Sequence, residues 1–229
     1  MREIKNSAAS SYNQNICMLH KDASIVAPAT FNLIIDLQRM QEFKEFHLVG
    51  GTSLALQLGH RNSIDIDLFT RKDFDDTEIA NLVSSKHTFK EIFRRKHTII
   101  CLLNNIKTDF IKHDFPLIRP PIEEDGIRLL SKEDIAAMKF HAIIQSGKRL
   151  KDFIDVYFLL EHFSMDEMMG FFVAKYSYSN PVIAMKAVNF FGDVDENIDS
   201  PQLVKPASLK QIKERIQQAT LHPKNIFRK

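Results

Sequence analysis

Polar residues fill the chain up to about residue 27, and the first amphipathic run opens at Pro28 and Thr30. In TFNLIIDLQRMQEF the apolar positions recur three and four apart, which predicts a helix with one buried face. FHLV (46–49) is a short apolar run that ends at Gly50-Gly51, as a buried strand leaving a sheet does. SLALQLG then predicts a brief helix closed by Gly59. IDIDLF alternates Ile64, Ile66 and Leu68 against Asp65, Asp67 and Phe69, the period of a strand whose two faces meet different surroundings. HTIICLLN and IKTDFIKH predict two further strands joined at Asn104-Asn105.

Beyond the Pro-rich link PLIRPP (116–121) the pattern turns helical. Ser131 stands three residues before Asp134, a capping arrangement ahead of IAAMKFHAIIQ. KDFIDVYFLLEHF, MDEMMGFFVAKY and SLKQIKERIQQA continue at helical period, and the Met and Phe residues of MDEMMGFF read as core. The organisation expected is therefore a polar segment over 1–27, an α/β lobe over 28–115 and a mainly helical lobe over 116–229, with no internal repeat.

Composition bounds this picture. With 229 residues, 44% of them hydrophobic and 18 of them Phe, the chain has ample material for a core. Its 31 basic and 29 acidic residues leave a net charge of +2, so a nucleic-acid surface must be local. Cys17 and Cys101 are far apart and neither belongs to a CxxC pair, which points away from zinc and from a disulfide framework and fits a reducing cytoplasm. No apolar run approaches the roughly 18 residues of a membrane span, and the N-terminus lacks the apolar centre of a signal peptide, so a cytoplasmic location is expected.

The chemistry concentrates in VGGTSLALQLGHRNSIDIDLF (49–69). Residues two apart on a strand share a face, with Cα atoms roughly 6–7 Å apart, so Asp65 and Asp67 present two carboxylates side by side. Such a pair either shares a proton or binds a hard cation such as Mg²⁺ or Mn²⁺. The plainer alternative has one aspartate capping a turn and the other solvated. Asp109, in KTDFI on a later strand, supplies a third carboxylate for a two-metal site; its plainer alternative is an ion pair with Lys107 or Lys112. Gly50 and Gly51, lacking Cβ atoms, let backbone N–H groups approach phosphate at a helix start, although Gly-Gly also makes ordinary turns. No GxxxxGK[ST] run is present, which argues against a P-loop NTPase.

GGTSLAL, RxSxDIDLF, the aspartate on a later strand, and AMKFHAI followed by KDFIDVYFLL together resemble the AbiEii/AbiGii toxin family of nucleotidyltransferases, within the DNA polymerase β-like superfamily. The resemblance spans roughly residues 28 to 163. In the superfamily a Gly-Ser pair precedes the DxD by about a dozen residues, and Gly51-Thr52 stands in that place with the hydroxyl kept. The resemblance implies an α/β (α+β) nucleotidyltransferase fold, a mixed β-sheet lobe followed by a helical lobe. It makes Asp65 and Asp67 metal ligands and Asp109 the third acid, and it sets Lys139 near the nucleotide phosphates. It also implies an NTP substrate, Mg²⁺ or Mn²⁺, a hydroxyl acceptor such as an RNA (notably a tRNA 3′ end), and a toxin role with a cognate antitoxin or in phage defence.

The nucleotide-binding candidates are Gly50, Gly51, Thr52, Ser53, Arg61, Ser63, Asp152 and Asp155. Ser63 reads equally as a turn residue, and Asp152 and Asp155, three apart on one helix face, either orient Lys139, contact the nucleotide or make a surface ion pair. A mid-helix lysine such as Lys139 also has the option of carrying its ammonium out to solvent. Lys148, Arg149 and Lys151 form a basic cluster that suits an acceptor or merely a solvated helix entry. His47, His60 and His141 show no metal-ligand spacing and read as structural or surface residues. A small-molecule or protein nucleotidyltransferase of the same fold is the second function class, and a non-catalytic binding module the third.

Overall fold

The computed structural model describes residues 19–198 and 200–228. Most of the polar segment expected over 1–27, with Cys17, lies outside the described residues. From there the chain forms α1 (Pro28–Arg39), β1 (His47–Leu48), α2 (Gly50–Leu58), β2 (Ile66–Thr70), α3 (Asp76–Lys86), β3 (Phe89–Arg95), β4 (Thr98–Leu103) and β5 (Ile106–Lys112). A hairpin of β6 (Ile122–Glu124) and β7 (Ile127–Leu129) follows, then α4 (Lys132–Gln145), α5 (Leu150–Leu159), α6 (Met165–Lys175), α7 (Pro181–Val188) and α8 (Leu209–Leu221). The strands make one mixed sheet in the order β3-β4-β5-β2-β1-β7-β6.

Local chemistry explains most of the boundaries. Asp75 accepts from the backbone N–H groups of Thr77 and Glu78 to start α3, Ser131 accepts from that of Asp134 to start α4, and Ser164 and Ser208 head full capping boxes on α6 and α8. Asn104 and Asn105 both take positive φ, 50° and 66°, as the tight turn between β4 and β5 demands. Two readings need correction. Ile64 is 66% exposed because β2 begins only at Ile66, after the chain has passed an isolated bridge between Ser63 and Val26. The Pro-rich link does not end the sheet, since β6 and β7 come after it and join at the β1 edge, so helices take over only at Lys132.

Two hydrophobic clusters flank α2. One gathers Leu33, Ile34 and Leu37 of α1, Ile79 and Val83 of α3, and the inward residues Ile66, Leu68, Ile99, Cys101 and Phe110 of the sheet. The other gathers α4 to α8 around Phe140, Phe153, Phe158, Met165, Met168 and Phe172. Helix α2 gives Ala55 and Leu56 to the first and Leu54 and Leu58 to the second. Being buried along its length, it must satisfy its polar groups internally. The Gln57 amide donates to the Ser53 hydroxyl and the Leu130 carbonyl, and the Thr52 hydroxyl donates to the Asp65 carbonyl beside the Ser63 hydroxyl. Helix α2 is thus tied to the segment that carries Asp65.

Candidate active site

The parallel register of β2 and β5 sets Asp67 directly opposite Asp109. Adjacent strands are roughly 4.8 Å apart, so the two carboxylates leave one sheet face side by side. Asp65 lies just before β2 and is 29% exposed. Burial, and after it the Asp109 carboxylate, pushes Asp67 up to about 6 from an ordinary 3.8. Asp109 is also raised by its burial, against the opposing pull of Lys107. The Lys107 ammonium donates to both Asp109 oxygens, at 3.0 and 2.9 Å, and Lys151 stands 3.6 Å from Asp65. Among the described residues no three His, Cys, Asp or Glu side chains gather around a point as a metal site does. The donor chemistry nevertheless fits a hard divalent cation: all three groups are carboxylates, and Asp67 keeps its proton to an unusually high pH where a second acid crowds it.

Glycine is required beside these acids for a packing reason. A Cβ on Gly50 would fall 2.3 Å from Oδ2 of Asp67, and its φ of +67° is one that other residues adopt only with strain. A Cβ on Gly51 would fall 2.5 Å from Nη2 of Arg61. Both glycines start α2, which no side chain caps, and both line the cleft. Thr52 and Ser53, expected to bind nucleotide, are buried with their hydroxyls engaged inside the protein, so they brace the site from behind.

Behind the acids lies a buried ionic cluster. Arg61 grips Asp155 through Nε at 2.6 Å and Nη2 at 2.8 Å, while His60 Nε2 stands 2.8 Å from Oδ1. Lys139 reaches Asp155 at 2.6 Å and Asp152 at 2.8 Å, and Arg149 reaches Asp152 at 2.9 Å. Burial opposes the charge on Asp155, but Arg61 and Lys139 outweigh it and hold the carboxyl well below its ordinary range. Burial likewise works against Lys139, and Asp152 and Asp155 still raise it, so it stays charged. His60 is lowered, chiefly by burial, which favours a neutral ring that donates to Asp155. Lys139 therefore does not carry its ammonium to solvent, and the ion pairs of Asp152 and Asp155 are buried, not superficial. Asp155 is fully enclosed, whereas Asp152 and Lys139 border the cleft.

That cleft, about 570 Å³ in volume, opens between the acid-bearing face of the sheet and α4, a size suited to a nucleotide. Gly50, Gly51, Arg61, Ser63, Asp65, Asp67 and Asp109 come together in it with Arg149 and Lys151. Lys148 lies outside its lining, on the surface at the turn into α5. His141 turns out to line it, stacked on Tyr176 with ring centroids 4.4 Å apart. Arg95, Phe115 and Gln145 also border it, and nothing in the sequence motifs singled them out. One signal was available: Met138, His141, Ala142 and Gln145 share one helical face of α4, a face too polar for a core.

The pattern of the nucleotidyl transferase AbiEii toxin, of type IV toxin–antitoxin systems, matches residues 33–224. The chain belongs to the AbiEii nucleotidyltransferase family. An uncharacterized protein of Aquifex aeolicus is 34% identical over 160 residues, which cover 67% of this chain and 77% of that one. Among solved structures, the nucleotidyltransferase toxin MenT4 of Mycobacterium tuberculosis superposes with a TM-score of 0.60 at 14% identity, over 85% of this chain and 82% of its own. JHP933 of Helicobacter pylori superposes with a TM-score of 0.52 at 16% identity, over 85% and 88%. The AbiEii match reaches well past residue 163, where the resemblance seen in the sequence stopped, and takes in α6 to α8. As a member of the AbiEii family the chain is a nucleotidyltransferase with the mixed α/β fold of these enzymes, and an NTP is its substrate. Among the described residues no helix is long and apolar enough to cross a membrane.

Proposed function

We propose that the chain moves an NMP from an NTP to a hydroxyl of an RNA acceptor, with a tRNA 3′ end as the leading candidate, and that it does so as the toxin of a toxin–antitoxin pair. The observation that carries the chemistry is the in-register pair of Asp67 and Asp109 at the floor of a nucleotide-sized cleft, with Asp65 beside it. Asp65 and Asp67 would hold Mg²⁺ or Mn²⁺, whose chemistry there is to neutralise phosphate charge and orient the triphosphate. Gly50 and Gly51, at the uncapped start of α2, would meet the phosphate oxygens with backbone N–H groups. Asp109 would take the acceptor proton as its oxygen attacks the α-phosphorus and the bond to pyrophosphate breaks; its raised affinity for a proton suits a base. That role requires Lys107 to leave Asp109 and follow the phosphates. Lys139, held charged by Asp152 and Asp155, would offset negative charge developing on the transferred group.

The assay incubates purified protein with total RNA, Mg²⁺ and each α-labelled NTP in turn. A labelled RNA band is expected; label on a protein or a small metabolite instead, with RNA unlabelled, would replace this reading with the other acceptor class. For the toxin role, growth arrest on expression, relieved by co-expression of the neighbouring gene and absent with Asp67→Asn, is the expected result. A smaller perturbation tests the glycine start of α2. Gly50→Ala should push the Asp67 carboxylate aside and lower transfer on the order of 100-fold, because an error of about 1 Å in a reacting group costs that much. Transfer within twofold of the unmodified protein would show that Asp67 has room to move.

A further inference from the structure

The sheet continues past the catalytic carboxylates into the β3–β4 hairpin, and helix covers only one side of it. Ile79, Ala80 and Val83 of α3 pack with Ile99, Cys101 and Leu103 in the core beneath the sheet. Register decides what the opposite face carries. Directly opposed residues share a face, so Asp67, Asp109, Ile100 and Phe93 form one row across β2, β5, β4 and β3. The row on one side runs Lys107, Leu102 and Lys90, and the row on the other runs Phe69, Ile111, Thr98 and Arg95. A register shift at Ile92, between Glu91 and Phe93, is what turns Phe93 and Arg95 to this side.

Edge strand β3 is exposed along its length after Phe89, and the Phe93 ring is 47% exposed. On this face an exposed aromatic ring therefore sits between two cations, Lys90 and Arg95, the pairing of stacking surface and positive charge that single-stranded nucleic acid uses. Arg95 meets no carboxylate among the described residues; its Nε lies 3.5 Å from the Thr98 hydroxyl, and it borders the catalytic cleft. The half-buried Ile100 and Leu102 form an apolar floor between these residues and the acids. Phe93 stands three strand spacings from Asp67, about 14 Å along a single row.

Resting on the proposed RNA acceptor, we infer that the open face of the β3–β4 hairpin is the track on which the acceptor's terminal nucleotides lie, Phe93 stacking on a base and Lys90 and Arg95 meeting phosphates. Stacked rings beside cations are how proteins hold single strands without reading sequence. Continuity of the row with Asp109 would deliver the terminal hydroxyl to the base. The cluster of Lys148, Arg149 and Lys151 is less suited: Arg149 is engaged by Asp152, Lys151 stands beside Asp65, and Lys148 lies off the cleft.

The test is fluorescence anisotropy of the full chain with a labelled single-stranded RNA of about 16 nucleotides, over a KCl series from about 50 to 200 mM. Phe93→Ala should weaken binding about tenfold without changing the salt slope, and Phe93→Trp should restore it. Lys90→Ala with Arg95→Ala should flatten the slope by about 1.4, two contacts at roughly 0.7 each. Lys210→Ala, which removes a cation from the far helix α8, should bind as the unmodified protein does. All these side chains lie at the surface, so unchanged melting confirms the fold. If the unmodified protein binds RNA and the hairpin variants bind it equally well, the track is refuted while the RNA acceptor stands. If the unmodified protein binds no RNA and labels a protein instead, both fall.

Discussion

Asp67→Asn is expected to abolish nucleotide transfer, by 1,000-fold or more on the order of a lost preorganised charge group, and at the same time to raise the melting temperature of the metal-free protein. Both effects have one cause. The Asp67 carboxylate is half-buried against Asp109, and its pKa is pushed up to about 6 from 3.8. Two units correspond to on the order of 2–3 kcal/mol of cost for the charged form, which for a chain of this size is about 4–12 °C. Asparagine fills nearly the same space without the charge. An Asp67→Asn protein that transfers nucleotide at the original rate would remove Asp67 from the chemistry; one that melts lower in EDTA would remove the repulsion argument.

The pH dependence follows from the same carboxylate. Its folded-state pKa lies above the unfolded value, so between pH 3.8 and about 6 the native protein holds more protons than the unfolded chain. Stability contributed by this group therefore falls as pH rises through that window and is level above it. The melting advantage of Asp67→Asn in EDTA should be near zero at about pH 4 and full by about pH 7. Mg²⁺ should narrow the difference at neutral pH, since an ion on the carboxylates replaces the missing counter-charge. Thermal melts at several pH values with EDTA or Mg²⁺ make the comparison.

Alternation made the acid-bearing strand legible, and hairpin chemistry at Asn104-Asn105 made its neighbours so. Asp65, Asp67 and Asp109 were visible as candidates because carboxylates inside apolar runs have few ordinary explanations. Their pairing across β2 and β5 was not visible, because parallel register is set by the core packed beneath the sheet. β3 escaped notice for a related reason: FKEIFRR leaves both faces exposed after Phe89, so no period-two pattern marks it. Strands of three residues, such as β6 and β7, are too short for any period. The reason for Gly51 lay outside local sequence as well, since Arg61 fills the place where its Cβ would stand and is drawn there by Asp155 from another helix.

Asp155→Asn is expected to cost about 3–5 kcal/mol, lowering the melting temperature by on the order of 10 °C, although Asp155 touches neither solvent nor the cleft. The substitution preserves volume and removes the charge that compensates Arg61 and Lys139, both of which stay buried. One carboxylate, Asp152, would then face Lys139, Arg61 and Arg149 together. Arg61→Met with Asp155→Leu should be less damaging than Asp155→Asn alone, because removing charges on both sides leaves no uncompensated partner, and Lys139 keeps Asp152. Since the folded-state pKa of Asp155 is depressed, its contribution is present above the ordinary carboxylate value of 3.8 and is lost only as pH falls below it. The deficit of Asp155→Asn should accordingly be constant from about pH 5 to 8 and shrink in stronger acid; the Asp67→Asn difference also fades in acid but has the opposite sign, an advantage and not a deficit. A melting temperature unchanged by Asp155→Asn across that range would show that water, not protein charge, compensates Arg61 and Lys139.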